Sequence, residues 1–368
     1  MNNSDINNSN TNQPSPLLGR GRGRLNISLS HKTLHFKKPA RTSRGEYNTH
    51  DMIIVTIMNE KGSKIGVGEC APLPDLSCDR DAYIHMSDVA DLINRALASD
   101  DYTTVLRPYP ALLFALESAM YDYQHNSTLY STPFAQSKVG IPINGLIWMS
   151  DYDDMLQQVK DKLKQGFRCI KLKIGAIEWD EEMRLIEKIR SRFSKNTLEL
   201  RVDANGAFNA DDAMSRLEQL AAYDIHSIEQ PIPAGNWKLM ADLCRNTPLP
   251  IALDEELIGL NQLHEKQTML DTIRPQYVVV KPMLHGGMSG SIEWINEAQK
   301  RGIGSWITSA LESNIGLRNV ALLAAAVYGP NNTFPQGLGT GLLYRDNIEM
   351  DVEIRGNKLW RCEVEEIS

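Results

Sequence analysis

The run Cys169-Ile170-Lys171-Leu172-Lys173-Ile174-Gly175 reads as a short buried strand that closes on two lysines. The same shape returns four times further on: Leu200-Arg201-Val202-Asp203-Ala204-Asn205-Gly206, Ser227-Ile228-Glu229-Gln230-Pro231-Ile232, Ile251-Ala252-Leu253-Asp254-Glu255-Glu256 and Val278-Val279-Val280-Lys281-Pro282-Met283. Counted from Lys173, the charged residue recurs at intervals of 30, 26, 25 and 27 residues. One strand–helix unit has about that length. Apolar runs at 143–148, 169–174, 198–204, 227–232, 251–254, 277–282, 305–309 and 333–338 predict eight strands. Amphipathic spacing at 152–165, 181–192, 210–222 and 288–301 predicts helices between them. Eight alternating units predict a parallel (β/α)8, TIM-like barrel of the α/β class. A doubly wound open sheet is the competitor, but its first strand is usually followed by a glycine-rich phosphate turn. Here Trp148-Met149-Ser150-Asp151 follows, without glycine.

The charged residues then occupy equivalent places, at the C-terminal ends of successive barrel strands, where this architecture builds active sites. A lone Asp or Lys at a strand end is an ordinary cap or surface charge; six in phase over five units are not. Asp203, Glu229 and Asp254 converging in one mouth would repel one another unless a cation lay among them. Oxygen-only donors suit a hard cation, Mg2+ with Mn2+ as substitute, and the absence of His and Cys at these places argues against zinc. Asn205, two residues beyond Asp203, is expected behind the metal ligands or against substrate. Lys171 and Lys173 share one strand face. Close to each other and to a cation, they are expected to have lowered pKa values, which suits a neutral amine base. Lys281 approaches from the other side. Two opposed lysines around a metal suit removal of a proton alpha to a carboxylate.

Before the barrel the texture differs. The β-rich run 52–58, the turn Lys61-Gly62 and the strand 65–70 are followed by helical spacing at 82–97 and 110–125. The expected organisation is a disordered tail at 1–24, an N-terminal α+β capping domain at 25–140, the barrel at 141–345 and a C-terminal segment at 346–368 that packs back on the capping domain. The tail is rich in Asn and Ser and ends in Gly-Arg repeats, too polar to offset its ordering entropy.

Composition narrows the partners. The 368 residues are 42% hydrophobic and 23% charged, an ordinary globular balance. With 39 Lys+Arg against 46 Asp+Glu the formal net charge is −7, which gives no footprint for nucleic acid. The longest apolar run, Val320 to Tyr328, is far short of the roughly 18 residues of a membrane span, so no membrane role is expected. No basic and apolar leader pattern opens the chain. The five scattered cysteines contain no CxxC and read as reduced thiols of a cytoplasmic protein. Nothing indicates an oligomer. Five further features take bland readings: His285-Gly286-Gly287 as a tight turn, His285 as a polar loop residue, and Trp148, Trp294 and Trp306 as core.

The pattern KxK, D, E, D, K resembles the enolase superfamily, in its muconate-lactonizing subgroup, over about residues 25–365. Within it, Gly68-Glu69-Cys70-Ala71-Pro72-Leu73-Pro74, Leu76-Ser77-Cys78-Asp79, Ser309-Ala310-Leu311-Glu312-Ser313 and Gly337-Leu338-Gly339-Thr340-Gly341 are similar to loops of the o-succinylbenzoate synthases. The resemblance implies a Mg2+-dependent dehydratase that acts on a small carboxylate, 2-succinyl-6-hydroxy-2,4-cyclohexadiene-1-carboxylate, in menaquinone synthesis. It further implies Lys173 as base, Lys281 as charge stabiliser, and Ser309, Glu312, Ser313, Gly339 and Thr340 as substrate or supporting contacts. N-succinylamino acid racemases and dipeptide epimerases of the same superfamily are the alternative. The DxD motif that such epimerases carry after the eighth strand is absent from Gly337 to Asn347, and Ser309 stands where mandelate-racemase relatives place a histidine. On the residues alone, a Schiff-base aldolase also stays open, and it would need no metal; against a silent barrel speaks the complete Lys, Asp, Glu, Asp, Lys set.

Overall fold

The computed structural model describes residues 15–19, 22–42, 45–63, 65–83, 85–124, 129–175 and 177–362. Its centre is a parallel sheet of seven strands: β6 (Gly145–Ile147), β7 (Cys169–Lys173), β8 (Glu199–Asp203), β9 (Ser227–Glu229), β10 (Ile251–Leu253), β11 (Tyr277–Val280) and β12 (Gly304–Ile307), side by side in chain order. Helices α4 (Tyr152–Lys164), α5 (Trp179–Arg190), α6 (Ala213–Ala221), α7 (Trp237–Asn246), α8 (Leu263–Ile273) and α9 (Gly287–Lys300) connect them, and α10 (Asn314–Tyr328) follows β12. The strands are buried on both faces, hence their near-continuous apolar runs.

The expected eighth strand at 333–338 survives as two residues. Gln336 bridges Ile143 and Gly337 bridges Thr308, both in parallel sense, which closes the barrel between β12 and β6. Pro335 has no N–H to give a longer ladder. Gly337 is required here, because a Cβ would lie 2.0 Å from Thr308 Oγ1.

Ahead of the barrel stands an antiparallel sheet of β1 (Ser15–Gly19), β2 (Arg22–Thr42), β3 (Gly45–Asn59) and β4 (Ile65–Cys70), with α1 (Met86–Ala98), α2 (Tyr102–Leu106) and α3 (Pro110–Gln124). Gly66 and Gly68 let α3 lie directly on β4; a Cβ on Gly68 would sit 1.9 Å from Ala115 O. Part of the expected tail is in this sheet, since Ser15 pairs with Ile27 and Leu17 with Leu25. The composition argument weighed side-chain burial, whereas an edge strand is held by backbone bonds. The rest of the expected tail, residues 1–14, 20 and 21, lies outside the described residues.

The C-terminal hairpin β13 (Val352–Arg355) and β14 (Lys358–Arg361) pairs with β5 (Ile141–Pro142) at the barrel's start, rather than with the N-terminal sheet. Contact with that sheet comes from just before it: Lys37 N donates to Leu343 O, and Asp346 accepts from His35 N at 2.8 Å. All five cysteines are free thiols.

Two carboxylates tie the N-terminal layer to the barrel. Glu117 of α3 accepts from Met288 N at 2.6 Å and Ser289 N at 3.3 Å, at the start of α9. Glu69 of β4 accepts from Ser313 N and Gly316 N at 2.8 Å each, at the start of α10. Helix N-termini carry unsatisfied N–H groups and a positive end, so each takes a buried anion well. Burial pushes the Glu117 carboxyl up to about 7 and raises that of Glu69. The glycine-rich run after His285 is thus a tight turn whose helix end is already taken by a side chain.

Candidate active site

The register of the sheet brings the charged residues together. Lys173 lies opposite Asp203, and Asp203 opposite Glu229, at the C-terminal ends of β7, β8 and β9. Asp254 and Lys281 follow directly on β10 and β11. Lys171 Nζ lies 2.8 Å from Asp203 Oδ2 and 2.7 Å from both Glu229 oxygens. Lys173 Nζ donates to Asn205 Oδ1 at 2.7 Å and lies 3.5 Å from Asp203. Lys281 Nζ is in close contact with Asp254 Oδ2. Asn205 in turn donates from Nδ2 to Glu255 Oε1 at 3.1 Å.

Electrostatics correct one expectation. Burial alone would lower the Lys171 pKa, but the carboxylates of Asp203 and Glu229 outweigh it, and the ammonium is raised well above its ordinary value. Lys281 is raised in the same way, its burial overcome first by Asp254. Neighbouring lysines were expected to lower one another; the nearer carboxylates win because Coulomb attraction rises as distance falls. Asp203 is held below the carboxylate range, burial being overcome by Lys171 and Lys173. Glu229 is pushed up to about 8 by burial and by the Asp203 charge.

The three carboxylates do not close on a single point. Among the described residues no three His, Cys, Asp or Glu side chains take metal-binding spacing. Lys171 bridges Asp203 and Glu229, and Lys281 holds Asp254. The donor set still fits a hard divalent cation. Asp203, Glu229 and Asp254 are at most 2% exposed, they sit on adjacent strands, and the buried Oδ1 of Asp254 has no hydrogen-bond partner. Buried carboxylates require a compensating cation, and oxygen donors of this kind favour Mg2+ or Mn2+.

The cavity above this cluster is lined by Lys171, Lys173, Asp203, Asn205, Lys281, Ser309, Gly339 and Thr340, all expected at the site. Ser309 Oγ and Thr340 Oγ1 are 2.5 Å apart. Two expected contacts are elsewhere. Ser313 is the N-cap of α10, its hydroxyl bonded to Glu69 at 2.5 Å, and Glu312 turns inward to accept from Ala310 N at 2.7 Å. Neither lines the cavity. Both sit where the loop becomes a helix, and a serine there serves the free N–H groups first. Accordingly, Ser313→Ala is expected to lower unfolding stability by about 1–2 kcal/mol with KM unchanged. Denaturant unfolding and a substrate titration measure the two; a raised KM at unchanged stability would return Ser313 to the substrate.

Sequence reasoning missed other wall residues. Glu255 lines the cavity beside Asp254, and the acidic run Asp254-Glu255-Glu256 was its signal. Trp148 is in the wall rather than the core, with Lys173 Nζ 5.8 Å from its ring centroid. Tyr47, Leu73 and Leu76 reach in from the N-terminal layer, and nothing local marks Tyr47. Trp306 also meets the cavity, although it is buried; Trp294 is core as expected. His285, expected as a surface loop residue, is 1% exposed beneath Asp254.

Residues 154–359 match the enolase C-terminal domain-like family. The o-succinylbenzoate synthase of Desulfotalea psychrophila is 41% identical over 370 residues, which cover 91% of this chain and 98% of that enzyme. The chain belongs to the o-succinylbenzoate synthase family of the enolase superfamily. The crystal structure of MenC from Desulfotalea psychrophila superposes with a TM-score of 0.78 at 38% identity, covering 91% of this chain and 99% of that one. A dipeptide epimerase from Enterococcus faecalis, solved with Mg and the dipeptide L-Leu-L-Tyr, superposes with a TM-score of 0.76 at 19% identity over 92% of this chain and 96% of that one; the likeness is one of fold. The synthase family also accounts for the absent DxD motif. Asp346, the one acid of that region, bonds to His35 and does not line the cavity.

Proposed function

We propose that this chain is a Mg2+-dependent dehydratase that converts 2-succinyl-6-hydroxy-2,4-cyclohexadiene-1-carboxylate to o-succinylbenzoate, a step of menaquinone synthesis. The observation that carries the reading is the 41% identity with an o-succinylbenzoate synthase along 91% of the chain. The site supports it independently. Lysines stand on both flanks of a buried carboxylate cluster, and the cavity walls above are apolar at Leu73, Leu76, Leu146 and Trp148, which suits a carbocyclic ring.

Asp203, Glu229 and Asp254 are the residues that would hold the cation. Bound there, it supplies positive charge for the substrate carboxylate and for the enediolate formed from it. Lys173, as the free amine, takes the proton from the ring carbon alpha to the carboxylate; the C–H bond pair passes into the enediolate. Lys281, an ammonium, faces that charge from the opposite flank. Lys173 then returns the proton to the departing hydroxyl, so that the ring C–O bond breaks, water leaves and the ring becomes aromatic. Lys171 stays cationic between Asp203 and Glu229 and does not exchange protons. Ser309 and Thr340 offer hydroxyls to the substrate's polar arms. The free thiols fit a cytoplasmic setting, and among the described residues no helix is long and apolar enough to cross a membrane.

Incubation with the cyclohexadiene substrate is expected to give the aromatic product, followed by its absorbance. No turnover there, with racemisation of an N-succinylamino acid or a dipeptide instead, would overturn the reading.

A further inference from the structure

The turn after β11 holds a histidine that the proposed reaction leaves unused. The Lys281 carbonyl accepts from Leu284 N and His285 N, each at 2.9 Å, which bends the chain sharply. The imidazole of His285 folds back over this turn, and its Nδ1 accepts the Lys281 backbone N–H at 3.0 Å. A ring nitrogen that accepts carries no proton, so in the neutral ring the hydrogen is on Nε2. That Nε2 lies 3.9 Å from Oδ1 of Asp254. Both side chains are wholly buried, and neither Nε2 nor Oδ1 has another hydrogen-bond partner.

A buried polar atom left unpaired costs about 1–3 kcal/mol. Here a donor and an acceptor, each unpaired, face one another a little beyond hydrogen-bond length, which is about 3.0 Å. The other Asp254 oxygen is drawn to Lys281 Nζ. The histidine side of the gap is the anchored one. Its ring is tied to the Lys281 peptide, and the helix that starts at Gly287 is pinned by Glu117; a Cβ on Gly287 would meet the Glu117 carboxylate at 2.5 Å. Closing the gap would thus fall to the Asp254 carboxylate. A leucine of similar size would fill the same space, but would leave both the Lys281 N–H and Asp254 Oδ1 without partners.

We propose that His285 is a positioning residue for Asp254: its Nε2–H serves Oδ1 and so keeps Oδ2 directed into the mouth as the donor for a divalent cation. The proposal rests on the reading of Asp254 as a cation ligand. It gives His285 two separable duties. Nδ1 shapes the turn that carries Lys281, and Nε2 orients the carboxylate. Partners standing behind a ligand typically contribute 10–100-fold to metal affinity.

Two substitutions divide these duties. The amide of His285→Asn reaches the place of Nδ1 but not that of Nε2; the amide of His285→Gln reaches the place of Nε2. Mg2+ and Mn2+ are titrated calorimetrically into the full chain stripped of metal, and thermal unfolding is recorded on the same samples. The Asn variant is expected to keep its unfolding midpoint and to bind Mg2+ about tenfold or more weakly. The Gln variant is expected to lose stability and to keep its affinity within a few-fold. Equal affinities in both variants, whether reduced or not, overturn the proposal. Should the Asn variant not fold, the Gln variant decides: retained affinity supports the proposal and lost affinity overturns it. Failure of the unsubstituted chain to bind either cation overturns the carboxylate reading and this inference with it; normal binding by that chain and by the Asn variant overturns this inference alone.

Discussion

Lys173→Ala is expected to lower kcat by about 10⁴-fold while the chain stays folded. A positioned general base contributes typically 10²–10⁴-fold, and this one has no substitute nearby. Lys171 is committed to Asp203 and Glu229 at 2.7–2.8 Å. Lys281 is on the far flank, bound to Asp254. Lys173, which lines the same cavity, is the most loosely tied of the three, to the Asn205 carbonyl at 2.7 Å and to Asp203 at 3.5 Å. Lys173→Arg sharpens the test. Arginine keeps the charge and cannot give up its proton in a protein, so it is expected to be as inactive as alanine. Activity of the Arg variant within tenfold of the unsubstituted chain would mean that Lys173 acts as a charge and not as a base. Lys281→Arg is expected to retain more activity than Lys281→Ala, because its proposed duty is electrostatic. Lys171→Ala is a different kind of change. It leaves two buried carboxylates without their cation, a loss of about 3–5 kcal/mol in stability, visible in denaturant unfolding before any assay is run.

Stripping divalent cations with EDTA is expected to take turnover to background, and Mg2+ or Mn2+ to restore it. The reason is charge balance. With the substrate carboxylate added, the mouth holds four carboxyl groups against the ammoniums of Lys171 and Lys281, and proton removal adds negative charge to the bound molecule. Cation binding to the folded chain alone also raises stability, by about 2.7 kcal/mol at 100 times the dissociation constant. Thermal unfolding with and without Mg2+ therefore reports the site without substrate. Asp203→Asn, Glu229→Gln and Asp254→Asn are each expected to abolish both the rescue and the stabilisation. Full turnover in metal-free buffer, or an unfolding midpoint indifferent to Mg2+, would remove the carboxylates from this role.

Much of this molecule was legible in one dimension. Parallel strands buried on both faces have to be apolar, so a charged residue interrupts them only where the strand emerges. Lys173, Asp203, Glu229, Asp254 and Lys281 could therefore be counted along the chain and placed in one mouth. The β/α alternation carried the fold in the same way, because each unit's period is local. The N-terminal sheet was visible through its turn at Lys61-Gly62.

What escaped the reading depends on through-space neighbours. Whether Lys171 is a base or a fixed cation is decided by Glu229, 58 residues away. Ser313 looked like a substrate contact until Glu69, 244 residues earlier, was found on its hydroxyl. His285 is an ordinary loop letter in sequence and a buried acceptor of the Lys281 N–H in space, and only the fold brings its other nitrogen within 3.9 Å of Asp254. Trp148 faces the cavity, and the barrel closes through two residues at Gln336 and Gly337, a closure that no periodicity announces. Local order along the chain determined which residues emerge at strand ends, because burial constrains each strand separately. The partners of those residues, and with them their charge states and duties, were decided by packing, because Coulomb and hydrogen-bond energies depend on distance in space and not on separation along the chain.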